Sequence, residues 1–374
     1  MTDVPAPGGA RTAPAAPPRP RRRVRVNPVL RRELLERWRS RRAVMTLTIY
    51  LAVLGGIGYL LYRVGVAVLT AGFGQELDGA IAGPLLGRFL LEGLLFFVLL
   101  LVLFVSPAYA AAQLSGERER RTLPLLQVTL LRPSQIVLGK LGAATAWLGL
   151  LVVAVVPIGA GAFFLGGVAP GDLLRGVALV LAVAVGVAGM ALGVSAVTRR
   201  TTGAVVCTYA LVLALVGGSG FLAGVEYLLR ARDGGLDRER PPVVLYANPL
   251  FGLADATRAS RASDMFGFGF GGGLPSPLGV IAEALPAAGG SDALRMDARV
   301  ELMDPTIGGF VVPEPVGGDV ERERKPVWLI VAGVHLALGL IGVGVATRRL
   351  RHVEPGGRRG RRRRRRGAGR AGGS

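Results

Sequence analysis

Six apolar runs, each 20 to 25 residues long, constrain this chain more than any other feature of its sequence. A helix rises about 1.5 Å per residue and the apolar core of a bilayer is about 30 Å thick, so each run can cross a membrane. The strands of a membrane barrel would instead need shorter segments of alternating polarity. We therefore predict an all-α membrane protein with six transmembrane helices, at residues 43–62, 89–112, 141–165, 177–197, 204–223 and 327–346.

The basic residues are kept apart from these runs. The chain is 51% hydrophobic, yet its formal net charge is +20. One compact soluble globule does not accommodate both features, so a soluble enzyme is excluded. Within the runs, Pro157 predicts a kink in the third helix. The small residues Gly186, Ala188, Gly189 and Gly193 predict close packing between helices.

The distribution of Lys and Arg predicts the orientation of the helices, because cytoplasmic segments collect these residues. An even number of helices places both chain ends on one side. The segments on that side hold 31 Lys and Arg residues, against 14 on the opposite side, of which 11 lie in one long loop. We therefore expect a protein of the cell's inner or plasma membrane with both termini in the cytoplasm.

The chain divides into five segments. Residues 1–26, rich in Pro, Ala and Arg, are predicted to be a disordered cytoplasmic tail. Residues 27–228 form a membrane domain with an amphipathic helix and the first five transmembrane helices, and residues 327–347 form the sixth. Between them, residues 229–326 are predicted to be a long extracytoplasmic loop. Residues 348–374 are predicted to be an Arg-rich disordered cytoplasmic tail.

An amphipathic helix precedes the first run. Asn27 is a favourable N-cap and Pro28 fits the first turn. Apolar side chains then share one face, while arginines occupy the rest; the apolar residues are Leu30, Leu34, Leu35 and Trp38. Such a helix lies flat in the membrane interface with its arginines toward anionic lipid. The alternative is a cytosolic helix docked on a partner protein.

The sequence offers no constellation of residues for catalysis or metal binding. His335 lies in the sixth run and His352 in the tail, with no second nitrogen or thiolate nearby. His335 either lines a pathway or bonds to a neighbouring helix, and Glu92 in the second run either faces a cavity or lies at the interface. The one Gly-Lys pair, at residues 139–140, is followed by a leucine, so no phosphate-binding loop is present. We expect no catalytic residue, metal or cofactor on this chain.

The most informative polar segment connects the second and third runs. It reads SGERERRTLPLLQVTLLRPSQIVLGK, from Ser115 to Lys140. Charges come first, at residues 117–121, and an amphipathic stretch follows at residues 122–131. A short helix parallel to the membrane, with charges of both signs and exposed leucines, would suit docking of a soluble subunit. On composition alone, an ordinary interfacial loop is an equal alternative.

This segment resembles the corresponding part of the membrane subunits of ABC-2 type exporters, which are ATP-binding-cassette transporters. The family pattern is approximately Glu-Arg-Glu, two residues, Thr-Leu, then a Thr-Pro-Leu-Ser-Pro turn and a Gly-Lys that enters the third helix. The matching residues are Glu117-Arg118-Glu119, Thr122-Leu123, Thr129 and Gly139-Lys140, and Asn27-Pro28-Val29-Leu30 resembles the start of such permeases. Arg121 departs from the pattern, since Gly is common there. Leu130 and Arg132 also depart from it, because the family more often has Pro and Ser at these two positions.

The resemblance implies a function. The helix at residues 27–40 would be the family's elbow helix, and residues 117–126 would lie in the element that couples the permease to its ATPase. The coupling residues would be Glu117, Arg118, Glu119, Arg120, Thr122 and Leu123. The implied partners are a cytosolic ABC ATPase, which holds ATP and Mg, and a second permease copy or paralogue. The implied activity is outward transport of a substrate that the sequence does not identify.

A non-transporting membrane scaffold is the alternative, because Arg-rich ends could gather partners. The tail carries an unbroken block of arginines at residues 361–366, which anionic membrane lipids attract. Aromatic residues do not interleave with these arginines, so we expect no specific nucleic-acid recognition.

Deletion of residues 354–374 separates the two functions. A permease should keep most of its activity, because its helices and coupling residues are unchanged, whereas a scaffold should lose its function. The measurement is export by cells that carry the truncated chain, with membrane insertion verified. Loss of function in a truncated chain that still inserts would contradict the permease hypothesis.

Overall fold

The computed structural model describes residues 30, 41–73, 79–121, 132–232, 242–257, 278 and 326–352, and the structural statements below refer to these residues. They are all-helical and contain no strand. This confirms the all-α fold class. Several sequence predictions fall outside the described residues. They concern the two tails, the amphipathic stretch at 122–131, most of the outer loop, and the side chains of Leu34, Leu35, Trp38, Thr122 and Leu123.

The described chain forms nine α-helices and two short helical segments of other types. The helices are α1 (Arg41–Phe73), α2 (Gly79–Glu119), α3 (Pro133–Val153), α4 (Val156–Leu165), α5 (Pro170–Val197), α6 (Thr201–Leu213), α7 (Ser219–Arg232), α8 (Pro249–Ala256) and α9 (Val327–His352). A π-helical segment, Ala214–Gly218, joins α6 to α7, and a 3-10 segment, Val243–Ala247, precedes α8.

Six helical stretches are long and apolar enough to cross a membrane, and they contain the six predicted runs except for the first residue of the first run. These spans are Val44–Ala71, Ala82–Glu119, Pro133–Leu165, Pro170–Val197, Thr201–Glu226 and Val327–Arg351. The third span consists of α3 and α4, which are separated by a turn at residues 154–155. Pro157 lies in the first turn of α4 and has no amide hydrogen to continue the preceding helix. The predicted kink is therefore confirmed.

The second and fourth spans form the core of the bundle. In each, 67% of the most apolar stretch is buried, against 11% in the first span and 17% in the fifth. The helix α5 packs against α2, α3, α6 and most closely against α9. The first span and the part of the fifth span that lies in α7 are therefore peripheral, with most of their large apolar side chains facing away from the described bundle.

Glycines bring the backbones of α5 and α9 into direct contact. A Cβ atom on Gly189 would lie 2.6 Å from the carbonyl oxygen of Gly339, and one on Gly193 would lie 2.6 Å from Cα of Gly342. Both distances are well inside van der Waals contact, so a larger residue would push the helices apart. The close packing predicted from Gly186, Gly189 and Gly193 is thus confirmed, with α9 as the partner helix.

The helix α8 was missed by the sequence analysis, which treated residues 229–326 as one polar loop. It begins at Asn248, whose side-chain oxygen accepts a hydrogen bond from Leu250 N at 3.0 Å, and Pro249 occupies its first position. This is the same Asn-Pro start that was used to predict the N-terminal helix, so the signal was present. Phe251 and Leu253 are fully buried against the bundle.

Two further contacts join α8 to the spans. The carboxylate of Asp255 accepts a hydrogen bond from Trp328 N at 2.9 Å, in the first turn of α9. The guanidinium of Arg175, near the start of α5, donates to the carbonyl of Ala256 at 3.2 Å and also pairs with the buried carboxylate of Asp172. The loop-side ends of α5 and α9 are therefore tied to the same short helix.

Replacement of Gly342 by Ala should destabilise the protein by about 1–3 kcal/mol, because the new methyl group would meet the backbone of α5, with Met190 Cα at 2.7 Å. Gly344→Ala is the matched control on the same helix, since nothing lies within 4 Å of a Cβ at that position. The measurement is thermal unfolding in detergent. Equal midpoints for the two variants would contradict the packing described here.

Candidate functional site

Three of the predicted coupling residues lie at the end of α2, where the second span meets the segment that leads to the third, and Thr122 and Leu123 lie outside the described residues. Glu117, Arg118 and Glu119 form the last turn of α2 itself. They do not belong to a separate helix parallel to the membrane, which corrects that part of the prediction. The reason is that the apolar periodicity ends at Leu114, while the hydrogen-bonded helix continues for five more residues.

Glu117 forms an ion pair with Lys140 of α3. Lys140 Nζ lies 2.7 Å from Glu117 Oε1, and the Lys140 side chain is only 3% exposed. A buried ammonium group requires a partner of opposite charge, since its desolvation is otherwise uncompensated. The Glu-Arg-Glu and Gly-Lys parts of the sequence pattern are therefore in direct contact across 23 positions of the chain.

Arg118 bonds to the end of α5. Its guanidinium donates to the carbonyl oxygens of Thr198 at 2.6 Å and Ala196 at 3.1 Å. The last carbonyls of a helix have no partner within the helix and carry a partial negative charge. A guanidinium at this position satisfies two of them and is stabilised by the helix dipole.

Glu119 bonds to the start of α6. Its two carboxylate oxygens accept hydrogen bonds from the backbone N–H and the hydroxyl of Thr201, each at 2.8 Å. Thr201 is the first residue of α6, and Arg200 before it makes no side-chain cap. Glu119 thus supplies from another helix the cap that α6 lacks, and its negative charge is favoured at a helix N-terminus.

We call this cluster of contacts the charged junction. It consists of Glu117, Arg118, Glu119, Lys140, Thr198 and Thr201. One turn of α2 is bonded through it to the second turn of α3 and to the ends of α5 and α6. One turn deeper, the hydroxyl of Ser195 on α5 accepts hydrogen bonds from the backbone of Leu114 and Ser115 at 3.2 and 2.9 Å. The end of α2 and these parts of α3, α5 and α6 are therefore joined by direct bonds.

Beyond the junction, α2 is followed by a turn with two exposed arginines, Arg120 and Arg121. Arg121 has a φ of 56°, in the left-handed region that favours glycine. This is the position where the sequence departs from the family pattern by carrying Arg in place of a common Gly. The conformation explains why Gly is suited to this position, since a residue with a Cβ adopts it at a cost of roughly 1–2 kcal/mol.

The predicted intramembrane polar residues, Glu92 and His335, are both buried. Glu92 is 1% exposed and accepts a bond from Arg88 Nε, one turn earlier in α2, at 3.2 Å. His335 Nδ1 lies 2.9 Å from the carbonyl of Val331 in the same helix, so Nδ1 carries the proton. The histidine bond thus runs within α9 and not to a neighbouring helix. Nε2 of His335 has no partner among the described residues.

The predicted elbow residue Leu30 packs against the third span. A Cβ atom on Gly142 of α3 would lie 3.1 Å from the Leu30 side chain, which is half-buried. Gly142 is one of the small residues in α3, and its lack of a side chain leaves room for this contact. The remaining elbow residues lie outside the described part of the chain, so the helix itself stays a prediction.

Comparison with known proteins identifies the family. A family model for the ABC-2 type transporter matches residues 26–230, which is more than half of the chain. The chain therefore belongs to the ABC-2 type transporter family. A search of curated proteins finds no match. Together with the six apolar helices, the family match makes the chain a multi-pass membrane protein and the permease component of a transporter, distinct from the ATPase.

The ion pair in the charged junction can be tested by exchanging its charges. Glu117→Lys and Lys140→Glu should each lower the free energy of unfolding by about 2–3 kcal/mol, less than for a fully buried pair because Glu117 is partly exposed. The double variant should recover most of this loss. The measurement is thermal unfolding in detergent followed by tryptophan fluorescence. If the two single losses simply add in the double variant, the pair is not coupled.

Proposed function

We propose that this chain is the permease subunit of an ATP-binding-cassette exporter. In this proposal a separate cytosolic ABC ATPase binds and hydrolyses ATP with Mg, and the permease converts that cycle into outward movement of a substrate. Both termini and the charged junction face the cytoplasm of a bacterial plasma membrane, in agreement with the excess of Lys and Arg on that side. The permease itself holds no cofactor.

The charged junction is the single observation that supports this proposal in addition to the family match. The segment between α2 and α3 leaves the junction at Arg120 and returns to it through Lys140. A force applied to this segment by a soluble subunit would act on α2 and α3 directly. It would act on α5 and α6 through Arg118 and Glu119, whose bonds are 2.6 to 3.1 Å long. Such a connection suits the transmission of ATPase movements into the membrane.

We propose a role for each coupling residue. Glu117, Arg118 and Glu119 act through their bonds to neighbouring helices, and the exposed Arg120 offers a charge to the ATPase surface. Thr122 and Leu123 begin the segment that meets the ATPase. We further propose that a second permease copy or paralogue completes the transporter, and that its contact surface lies on the poorly buried first and fifth spans. The remaining apolar surface faces membrane lipids.

Charge reversal in the junction tests the proposed coupling. The double variant Glu117→Lys and Glu119→Lys should insert in the membrane normally but lose association with the ATPase. ATP hydrolysis in proteoliposomes should fall to the rate of the ATPase alone. The physical reason is that both substitutions place a cation where the neighbouring helix requires an anion. The assay uses the chain co-purified with the cytosolic ABC ATPase that binds it.

Glu119→Gln is the matched control, because an amide oxygen still accepts a bond from Thr201 N without a negative charge. It should retain most of the association and hydrolysis. Normal ATPase association and coupled hydrolysis in the Glu117→Lys, Glu119→Lys variant would remove the coupling assignment. ATP hydrolysis by the purified chain without any partner would contradict the proposed function as a whole.

A further inference from the structure

The fifth span is interrupted near the middle of its length. The helix α6 ends at Leu213, the residues of the segment Ala214–Gly218 adopt a π-helix, and α7 begins at Ser219. A π-helical turn inserts an extra residue and leaves a carbonyl without its regular partner, and such turns are frequent at functional sites. Within a membrane the freed carbonyl must find another donor, because lipid provides none.

The carbonyl of Val216 accepts from the backbone N–H and the hydroxyl of Ser219 within the span, and Asn248 adds a donor from outside it. Its side-chain nitrogen donates to the carbonyl of Val216, in the π-helical segment, at 3.1 Å. The oxygen of the same amide accepts from Leu250 N and starts α8. Asn248 is 6% exposed and lies beside Gly220, where an added Cβ atom would be 3.7 Å from its nitrogen. One buried amide group therefore connects the interruption of the fifth span to the helix that is tied to α5 and α9.

The interruption separates a packed half of the span from a peripheral half. We call the half formed by α6, before the interruption, the lower half, and the half formed by α7, after it, the upper half. Below it, α6 packs on α2 and α5, with Ala204 and Thr208 fully buried. Above it, α7 packs chiefly against the 3-10 segment, and Phe221 and Leu228 are 72% and 73% exposed. The lower half is thus held by the core and the upper half chiefly by the region around α8.

Two glycines in the interruption are not required by packing. A Cβ atom on Gly217 would have only Leu213 Cδ1 nearby, at 3.4 Å, and one on Gly218 only Ala214 Cβ, at 3.8 Å. Both neighbours belong to the fifth span itself. No close approach of another described helix therefore explains these glycines. Their remaining physical effect is backbone freedom, which lets a helix bend.

We propose that the π-helical segment Ala214–Gly218 is a hinge at which the upper half of the fifth span moves during transport, and that Asn248 is the latch that holds it. Glu119 fixes the lower end of the same span at Thr201, so movement of the charged junction is carried by α6 to the hinge. The hinge and its latch consist of residues of this chain and need no partner subunit. Their use in transport rests on the proposed function.

The latch is tested on the chain alone in lipid nanodiscs. Spin labels on Thr202→Cys and Leu228→Cys, both exposed positions, flank the hinge in a Cys207→Ser background diluted with unlabelled protein. In a straight helix these positions are roughly 39 Å apart. Asn248→Ser keeps a capping oxygen for α8 but is too short to reach Val216. It should broaden the distance distribution about twofold. An unchanged width would overturn the latch.

The hinge is tested in the complex with the ATPase, by comparing the nucleotide-free state with the state trapped by ATP and vanadate. The parent should show a shift in the distance between the labels. Gly217→Ala with Gly218→Ala should abolish the shift while ATPase association is retained. Gly224→Ala is the matched control, since it lies on α7 outside the hinge with nothing within 4 Å, and it should keep the shift.

The outcomes separate the two proposals. An unshifted distance in a parent complex that binds and stimulates the ATPase would overturn the hinge and leave the permease function standing. A shift as large as that of the parent in the Gly217→Ala, Gly218→Ala variant would also overturn the hinge and leave the permease function standing. Failure of the ATPase to bind would instead contradict the proposed function, and the nanodisc experiment would still decide whether Asn248 restrains the fifth span.

Discussion

A carbonyl freed inside a membrane must find a new donor, and this requirement governs the arrangement of the interrupted helices here. In the third span, at the turn of residues 154–155, Val155 N donates to the carbonyl of Val152 at 3.2 Å. In a regular helix it would donate to the carbonyl of Leu151. In two places a polar side chain from another part of the chain donates to a backbone carbonyl at or near the interruption. The pairs are Tyr50 with Leu151 and Asn248 with Val216, at 2.8 and 3.1 Å.

These donors also decide which elements are joined. Tyr50 ties the otherwise exposed first span to the third, and Asn248 ties the outer region to the fifth. By contrast, the uninterrupted helices α5 and α9 are held by backbone contact at their glycines, which leaves little room for adjustment. The bundle therefore combines a closely packed pair of helices at its centre with less buried spans to which polar side-chain contacts also contribute. The charged junction at the end of α2 connects both kinds of element.

The six spans could be predicted because lipid demands about 20 apolar residues per helix, a requirement that is local in sequence. The kink at Pro157 and the close approach at Gly189 were also predictable from local features. Proline lacks the amide hydrogen that a helix needs, and glycine lacks the side chain that would keep a neighbouring helix away. The helix α8 was missed, although its Asn248-Pro249 start was visible, because eight residues are too few for apolar periodicity to stand out. The charged residues at the end of α2 were singled out by resemblance, and sequence could not reveal that Glu117 pairs with Lys140, 23 positions away.

The sequence by itself determined the class of the protein, its number of spans, and the position of its charged segment, because hydropathy and charge act on each segment independently. Tertiary structure alone decided the partners: which helix faces the glycines of α5, which helix end Glu119 caps, and which carbonyl Asn248 reaches. Such contacts depend on the positions of two elements in space. A single side chain determines which kind of bond it can make, and only the packed bundle determines which group is its partner.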